Sequence, residues 1–166
     1  MSSPAPVGAS QPLFAEDLPV AEVVDLGTYV VSVDEIVDFA LQWDPQPFHV
    51  DVAAASDGYF GEVIAAGVHA VAIFQRLAVI GAYRHWAVVA GRQVQLSMPA
   101  PLRPAVPVRG ELAVREVVET HPDRSLVTVD GRLLQDGTDV LIARVDLYVR
   151  RRHVGEPMRQ DKLSQT

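Results

Sequence analysis

The second half of the chain alternates between apolar and polar positions, which is the pattern of strands with one buried face. Four such runs are present, at residues 92–98, 108–119, 127–133 and 141–149. The turn sequences His121-Pro122-Asp123 and Asp136-Gly137 separate the last three runs, and an Asp-Gly pair suits a tight hairpin. A β-branched run at residues 28–33 predicts a further strand. The pattern therefore predicts an antiparallel sheet.

The first half of the chain shows helical periodicity. Ser32 and Glu35 fit a capping box, in which each side chain accepts a hydrogen bond from the other residue's backbone N–H. Pro45 and Pro47 end this helix, because proline disfavours the helical state of the residue before it. A long apolar helix follows at about residues 65–80, and such a helix must be buried on most sides. An α+β fold, in which a curved antiparallel sheet wraps around this long central helix, satisfies both halves of the pattern.

Composition predicts a single domain. The chain has 166 residues, of which 49% are apolar and 21% are charged, the balance of an ordinary globular protein. We expect one domain at residues 13–152, a disordered lead at residues 1–12 and a polar tail at residues 153–166. A chain of this length buries roughly 70% of its unfolded surface, so it needs no disulfide or metal for stability.

Charge and residue usage exclude several functions. The net charge of -7 makes nucleic acid a poor partner, because such binding depends on basic groups that neutralise phosphates. The absence of cysteine excludes thiolate catalysis and zinc–thiolate sites.

The N-terminal residues lack the basic and apolar regions of a signal peptide. Polar residues interrupt the apolar stretch at residues 63–80, so we expect no membrane span and a cytoplasmic location.

The first motif that carries chemistry is Trp43-Asp44-Pro45-Gln46-Pro47-Phe48-His49. Its two prolines stiffen the backbone between an acid and an imidazole, and a rigid non-helical turn could direct both side chains at one point. A carboxylate can orient an imidazole, which can move a proton near neutral pH. The alternatives are a plain loop, in which Asp44 only caps a helix, and a metal site of His49 with Asp51 or Asp44, although the spacing matches no standard motif.

The second motif, Phe60-Gly61-Glu62-Val63-Ile64-Ala65-Ala66-Gly67, places a glycine at the start of the apolar helix. Glycine permits close approach of a ligand, and free N–H groups at a helix start point toward negative charge. A polarised carbonyl oxygen requires such donors. The alternative is a glycine needed only for packing. His69, two residues further along, is by itself more typical of a core histidine than of a catalytic one.

Together, residues 44–51 and 60–67 resemble the signature of MaoC-like dehydratases, which include the (R)-specific enoyl-CoA hydratases of the hotdog fold. The resemblance extends over about residues 14–150. It implies a sheet wrapped around the central helix and pairing of two such domains into a dimer. It also implies addition or removal of water across the 2,3 bond of an acyl thioester, with CoA or a carrier protein as the thiol. No organic cofactor or metal is expected, because the thioester itself acidifies its α-proton.

The resemblance also implies roles for individual residues. Asp44 and His49 would activate water and return a proton to the α-carbon, and the backbone N–H of Gly67 would bind the thioester oxygen. The residues expected to contact the substrate are Phe48, Phe60, Ile64, Ala66 and His69.

Four positions depart from the family pattern. Gln46 replaces an asparagine, Ala66 replaces a histidine, Ala105-Val106 replaces Gly-Asp, and residues 63–80 contain no serine or threonine. These departures leave the identity of the substrate undetermined. Two other functions on the same fold therefore remain: a thioesterase that uses Glu62 as its acid, and a non-catalytic subunit that binds an acyl group or stabilises a partner in a heterodimer.

Overall fold

The structure, a computed structural model, describes residues 11–152 of the chain. The predicted polar tail at residues 153–166 and the first ten residues of the predicted lead lie outside the described residues. No helix in the described part has the length and apolar character needed to span a membrane.

The described residues form helices in the first half of the chain and mainly strands in the second. The helices are α1 (Val33–Trp43), α2 (Pro47–Val50), α3 (Val52–Ser56) and α4 (Gly67–Gly81). The strands are β1 (Val23–Tyr29), β2 (Val88–Ser97), β3 (Val108–His121), β4 (Arg124–Gln135) and β5 (Thr138–Arg150).

The five strands form one antiparallel sheet in the order β1-β3-β4-β5-β2. The consecutive strands β3, β4 and β5 are neighbours, while β1 and β2 occupy the two edges. Asp136 and Gly137 join β4 to β5 with φ angles of 47° and 79°. Positive φ at both central residues is the requirement of a tight two-residue hairpin, so the predicted turn is confirmed.

Helix α4 lies against one face of the sheet and forms the core with it. Its buried side chains include Ile73, Phe74 and Leu77, which belong to the same core cluster as Leu112, Leu133 and Leu141 of the sheet. Gly131 on β4 permits this close packing, because a Cβ at that position would overlap the ring of Phe74. The arrangement is the predicted α+β hotdog fold, with a sheet around a central helix.

The boundaries near α1 differ from the prediction. The strand lies at residues 23–29 rather than 28–33, because the chain must leave the sheet before Ser32 can cap α1. Ser32 accepts a hydrogen bond from the N–H of Glu35 at 3.1 Å. The second half of the predicted capping box is wrong, since the Glu35 carboxylate instead accepts a hydrogen bond from the Tyr29 hydroxyl at 2.7 Å.

Candidate active site

His49 is held by the short helix α2. Pro47 occupies the first turn of this helix, where the missing N–H of proline removes no helical hydrogen bond. The His49 side chain is buried, with 4% of the residue exposed, and its ring packs edge-on against Phe48. Its Nδ1 lies 2.7 Å from the carbonyl oxygen of Ile64. Because a carbonyl oxygen only accepts, Nδ1 carries the proton, and Nε2 of the neutral ring is the basic nitrogen.

Asp44 follows the last residue of α1 and faces this nitrogen. Its N–H donates to the carbonyl of Ala40 at 2.9 Å, and its own backbone has left the helical region. Oδ2 lies 3.7 Å from Nε2 of His49, and Oδ1 accepts a hydrogen bond from the Gln46 side chain at 2.9 Å. The separation of 3.7 Å exceeds a hydrogen bond, and such distances commonly shorten when a substrate binds.

The structure thus brings Asp44 and His49 together, by a route that differs in part from the prediction. The connection is non-helical only over residues 44–46, and His49 itself lies in a helical turn. The expectation of a wholly non-helical turn is therefore wrong. Proline ends α1 as expected, but it is also a favoured first residue of a new helix, so the doubled proline changes the chain direction between two helices.

A cavity of about 290 Å³ lies between the start of α4 and the loop after β2. His49 and Gly67 both line it. Its other lining residues are mainly apolar and include Phe60, Ile64, Ala70, Met98, Leu102 and Val140. An apolar cavity with few polar groups is typical of sites for small organic ligands.

The N-terminus of α4 presents free backbone donors beside this cavity. No side chain in the described part of the protein caps the helix. The N–H groups of His69 and Ala70 donate to the carbonyl of Ala66, which leaves those of Gly67 and Val68 without an acceptor in the helix. The Met98 side chain lies against Gly67, since a Cβ on this glycine would be 2.5 Å from the Met98 sulfur. A side chain at position 67 would therefore crowd the cavity.

The other residues expected to contact the substrate fall into two groups. Phe60 and Ile64 line the cavity, and Phe48 packs against Phe60 with the ring centroids 6.0 Å apart. Ala66 is fully buried before the first turn of α4, and His69 is turned toward α1. Neither belongs to the cavity lining that the described residues form.

His69 forms a separate buried contact between α4 and α1. Its ring stacks on Phe39 with the centroids 4.1 Å apart, and Nε2 lies 3.3 Å from the Glu35 carboxylate that also binds Tyr29. Burial lowers the pKa of His69, and the Glu35 carboxylate opposes this shift only in part. These contacts favour the interpretation of His69 as a core histidine.

Two carboxylates that the alternative functions would use have other partners in the structure. Glu62, the candidate thioesterase acid, precedes α4 and forms an ion pair with the Arg103 guanidinium. Asp51, one of the two candidate metal-binding carboxylates, caps α3 by accepting hydrogen bonds from the N–H groups of Ala53 and Ala54. Among the described residues, no cluster of three or more acidic or histidine side chains could hold a metal ion.

Sequence reasoning missed the contribution of the loop between β2 and β3. Met98 and Leu102 come from this loop and form one wall of the cavity. Met98 ends the alternating run predicted at residues 92–98, but β2 itself stops at Ser97. Beyond it the loop has no hydrophobic periodicity, and its clearest signal is the repeated proline at positions 99, 101, 104 and 107. Proline predicts irregular backbone, but it does not predict which distant segment that backbone will contact.

The fold and the site define a class of protein: a single hotdog domain in which a histidine paired with an aspartate, and the start of the central helix, line an apolar cavity. A family model described as "MaoC like domain" matches residues 13–133. The chain belongs to this family.

Individual proteins show the same similarity. The chain is 34% identical to a MaoC-like dehydratase of known structure from Rhodospirillum rubrum, with a TM-score of 0.77 over 86% of this chain and 99% of that one. It is 28% identical over 110 residues to the uncharacterized protein YdeM of Bacillus subtilis (strain 168), which covers 66% of this chain and 77% of YdeM. The unliganded R-hydratase PhaJ1 from Pseudomonas aeruginosa shares the fold at 20% identity, with a TM-score of 0.71 over 94% and 98% of the two chains.

Proposed function

We propose that the protein is a hydratase/dehydratase that acts on the 2,3 bond of an acyl thioester and interconverts enoyl and 3-hydroxyacyl groups. One observation carries the proposal. The basic Nε2 of His49 lies 3.7 Å from the Asp44 carboxylate, and His49 shares an apolar cavity with the uncapped start of α4. The imidazole and a donor for a developing oxyanion therefore border the same cavity. Asp44 lies beside His49 and is not itself among the lining residues of the described part. This supports the assignment of Asp44, His49 and Gly67 to catalysis.

In the hydration direction, the Asp44/His49 pair binds a water molecule and accepts its proton as the water oxygen forms a bond to C3. The electron pair of the 2,3 double bond moves toward the thioester carbonyl, whose oxygen becomes negatively charged. The N–H of Gly67, at the positive end of α4, stabilises this oxygen. The proton held by the pair then passes to C2, which completes the addition. Dehydration follows the same steps in reverse.

The test is hydration of crotonyl-CoA and longer enoyl-CoAs, followed as loss of the enoyl absorbance. Asp44→Asn and His49→Ala are each expected to lower kcat by about 100- to 10,000-fold, the usual contribution of a general acid or base. Asp51→Asn is the matched control, because it removes a nearby carboxylate that only caps α3. If Asp44→Asn and His49→Ala leave turnover unchanged, the proposal is wrong. If the folded protein binds enoyl-CoA but turns over none of the panel, the non-catalytic subunit is supported instead.

We further propose that two copies of the chain pair along β2. This strand forms one edge of the sheet, and all ten of its residues are exposed. The exposed residues Val94 and Leu96 lie on β2, and Met98 directly follows it. An unpaired edge with apolar side chains is a strong template for strand pairing. Because Met98 also lines the cavity, a partner at this edge would lie close to the proposed site.

A further inference from the structure

The side-chain amide of Gln135 is bound entirely by one loop. Gln135 is the last residue of β4 and is buried, with 7% of its surface exposed. Its Oε1 accepts a hydrogen bond from the N–H of Arg103 at 2.9 Å. Its Nε2 donates to the carbonyl of Arg103 at 2.9 Å and to that of Val106 at 3.0 Å. The amide therefore holds both ends of residues 103–106, in the connection from β2 to β3.

This turn contains a residue in an unfavourable conformation. Ala105 has a φ angle of 61°, a region that a residue with a Cβ rarely adopts. Its N–H donates to the carbonyl of Val31 at 2.8 Å. The hydrogen bonds from Gln135 reach the residues on either side of Ala105, at positions 103 and 106. They therefore hold the turn in a shape that its own alanine disfavours.

The same loop continues to the candidate site. Leu102, next to Arg103, lines the cavity, and its carbonyl accepts a hydrogen bond from the N–H of Ala65 at 2.9 Å. The adjacent carbonyl of Ile64 accepts the hydrogen bond from Nδ1 of His49. A continuous path of hydrogen bonds and adjacent residues thus joins the buried Gln135 amide to the imidazole of His49.

We propose that Gln135 is a positioning residue for His49. By fixing the turn at residues 103–106, it fixes Leu102, the Ile64–Ala65 segment and thereby the imidazole orientation that presents Nε2 to Asp44. The kinetic part of this inference rests on the proposed hydratase activity. Gln135 is not among the residues that line the cavity in the described part of the protein, so it acts only through the loop.

The experiment compares Gln135→Met, which keeps the approximate side-chain length but removes the amide, with the unmodified protein. We expect kcat for crotonyl-CoA hydration to fall by about 10- to 100-fold while KM changes little, because a small misplacement of a catalytic group lowers the rate by such factors. In protein with ¹⁵N-labelled histidine, we expect the Nδ1–H signal of His49, assigned with His49→Ala, to shift or broaden.

Rescue and control variants separate positioning from general stability. Adding Ala105→Gly to Gln135→Met should restore part of kcat and of the His49 signal, because glycine adopts the positive φ without help from Gln135. Ser125→Ala is the control, since Ser125 is another buried polar residue at the opposite end of β4. This change should leave both readouts unaltered.

Two results would overturn the proposal: an unchanged His49 signal in Gln135→Met, or a loss of kcat that Ala105→Gly does not reduce. If Gln135→Met does not fold, Gln135→Asn, which keeps the amide but shortens its reach, is measured in the same way. The magnetic resonance readout does not require turnover. If the unmodified protein hydrates no enoyl-CoA, the proposed function fails while the positioning of His49 is still judged by its Nδ1–H signal.

Discussion

Nδ1 of His49 donates a hydrogen bond to the carbonyl oxygen of Ile64, with the two atoms 2.7 Å apart. This contact joins the two sequence motifs of the site across fifteen residues. It sets the tautomer of the imidazole through the backbone, whereas many catalytic histidines are oriented by a carboxylate at this nitrogen. The Asp44 carboxylate is consequently free to act at Nε2, where proton transfer would take place.

Gly67→Ala is expected to lower activity without loss of stability. The added Cβ would lie 2.5 Å from the Met98 sulfur and 3.1 Å from its methyl carbon. The flexible Met98 side chain can move, but it would then occupy space near the Gly67 N–H. We expect kcat/KM to fall by at least about tenfold, which corresponds to 1.4 kcal/mol of transition-state binding, while Tm remains equal or rises.

The double variant Gly67→Ala/Met98→Ala should recover part of this loss, because it removes the side chain that the new Cβ displaces. Wild-type activity in Gly67→Ala would show that close approach to this backbone position is not required.

Ala105→Gly is expected to stabilise the protein. A residue with a Cβ loses about 1–2 kcal/mol in the left-handed region, and Ala105 has a φ angle of 61°. Glycine offsets part of this gain, because it loses more chain entropy on folding than alanine does. We therefore expect the free energy of unfolding to rise by about 1 kcal/mol. Urea denaturation measures it. Ala54→Gly, in the exposed face of α3, should change stability in the opposite direction by about 1 kcal/mol. A loss of stability in Ala105→Gly would contradict the prediction.

His69 should make the protein less stable in mild acid. Burial lowers its pKa below the ordinary value of 6.5, so the unfolded chain binds a proton more readily than the folded one. The free energy of unfolding therefore falls as the pH decreases below about 6.5. Two residues of α1 face the His69 ring: Phe39, which stacks on it, and Glu35, whose carboxylate opposes the pKa shift. The Tyr29 hydroxyl on β1 donates a hydrogen bond to the Glu35 carboxylate.

Urea denaturation of His69→Gln between about pH 8 and pH 5 tests this prediction. The variant should show a flatter pH dependence than the unmodified protein, because its side chain does not titrate. His121→Gln, at an exposed position on the β3–β4 hairpin, should retain the steeper dependence. An identical slope in His69→Gln and the unmodified protein would exclude His69 as the source.

Charge on the β2 edge is expected to prevent pairing of two chains. Val94 is 54% exposed on β2, and a lysine there would be buried without a partner if two such edges met. Sedimentation equilibrium should show a dimer for the unmodified protein and a monomer for Val94→Lys. Val23→Lys places the same charge on β1, at the opposite edge of the sheet, and should leave the dimer intact. A dimer that persists in Val94→Lys would place the interface elsewhere.

The fold was predictable because its main features are periodic in the sequence. Alternation with a period of two gave the four later strands, and the apolar helix needed a sheet to cover it. The errors lie where one residue has two uses. Ser32 belongs to a β-branched run but serves as a helix cap, and Ala65 continues an apolar helix pattern although its N–H is bound by Leu102. Local propensity does not predict which of the two structures such a residue adopts, because hydrogen bonds to distant parts of the chain determine it.

The candidate site was predictable only in its local parts. The proximity of Asp44 and His49 follows from a short, proline-stiffened segment, and Gly67 follows from its place at a helix start. Met98, Leu102 and Gln135 were not recognised, since each reaches the site through contacts over more than thirty residues of sequence. The family resemblance suggested glycine at position 105, and the positive φ of Ala105 gives the physical reason for that preference.

The sheet order also has a consequence for how the molecule folds. Strands β3, β4 and β5 are consecutive and joined by short turns, so their pairing requires only local chain closure. In contrast, Val23 of β1 pairs with Ala113, and Leu96 of β2 pairs with Ala143, and such distant pairings carry a larger entropic cost of closure. Residues 30–87, which carry both motifs, connect these two edge strands. The three-stranded meander can therefore form before the site does, and partial unfolding at the edges can release the site while the centre of the sheet persists.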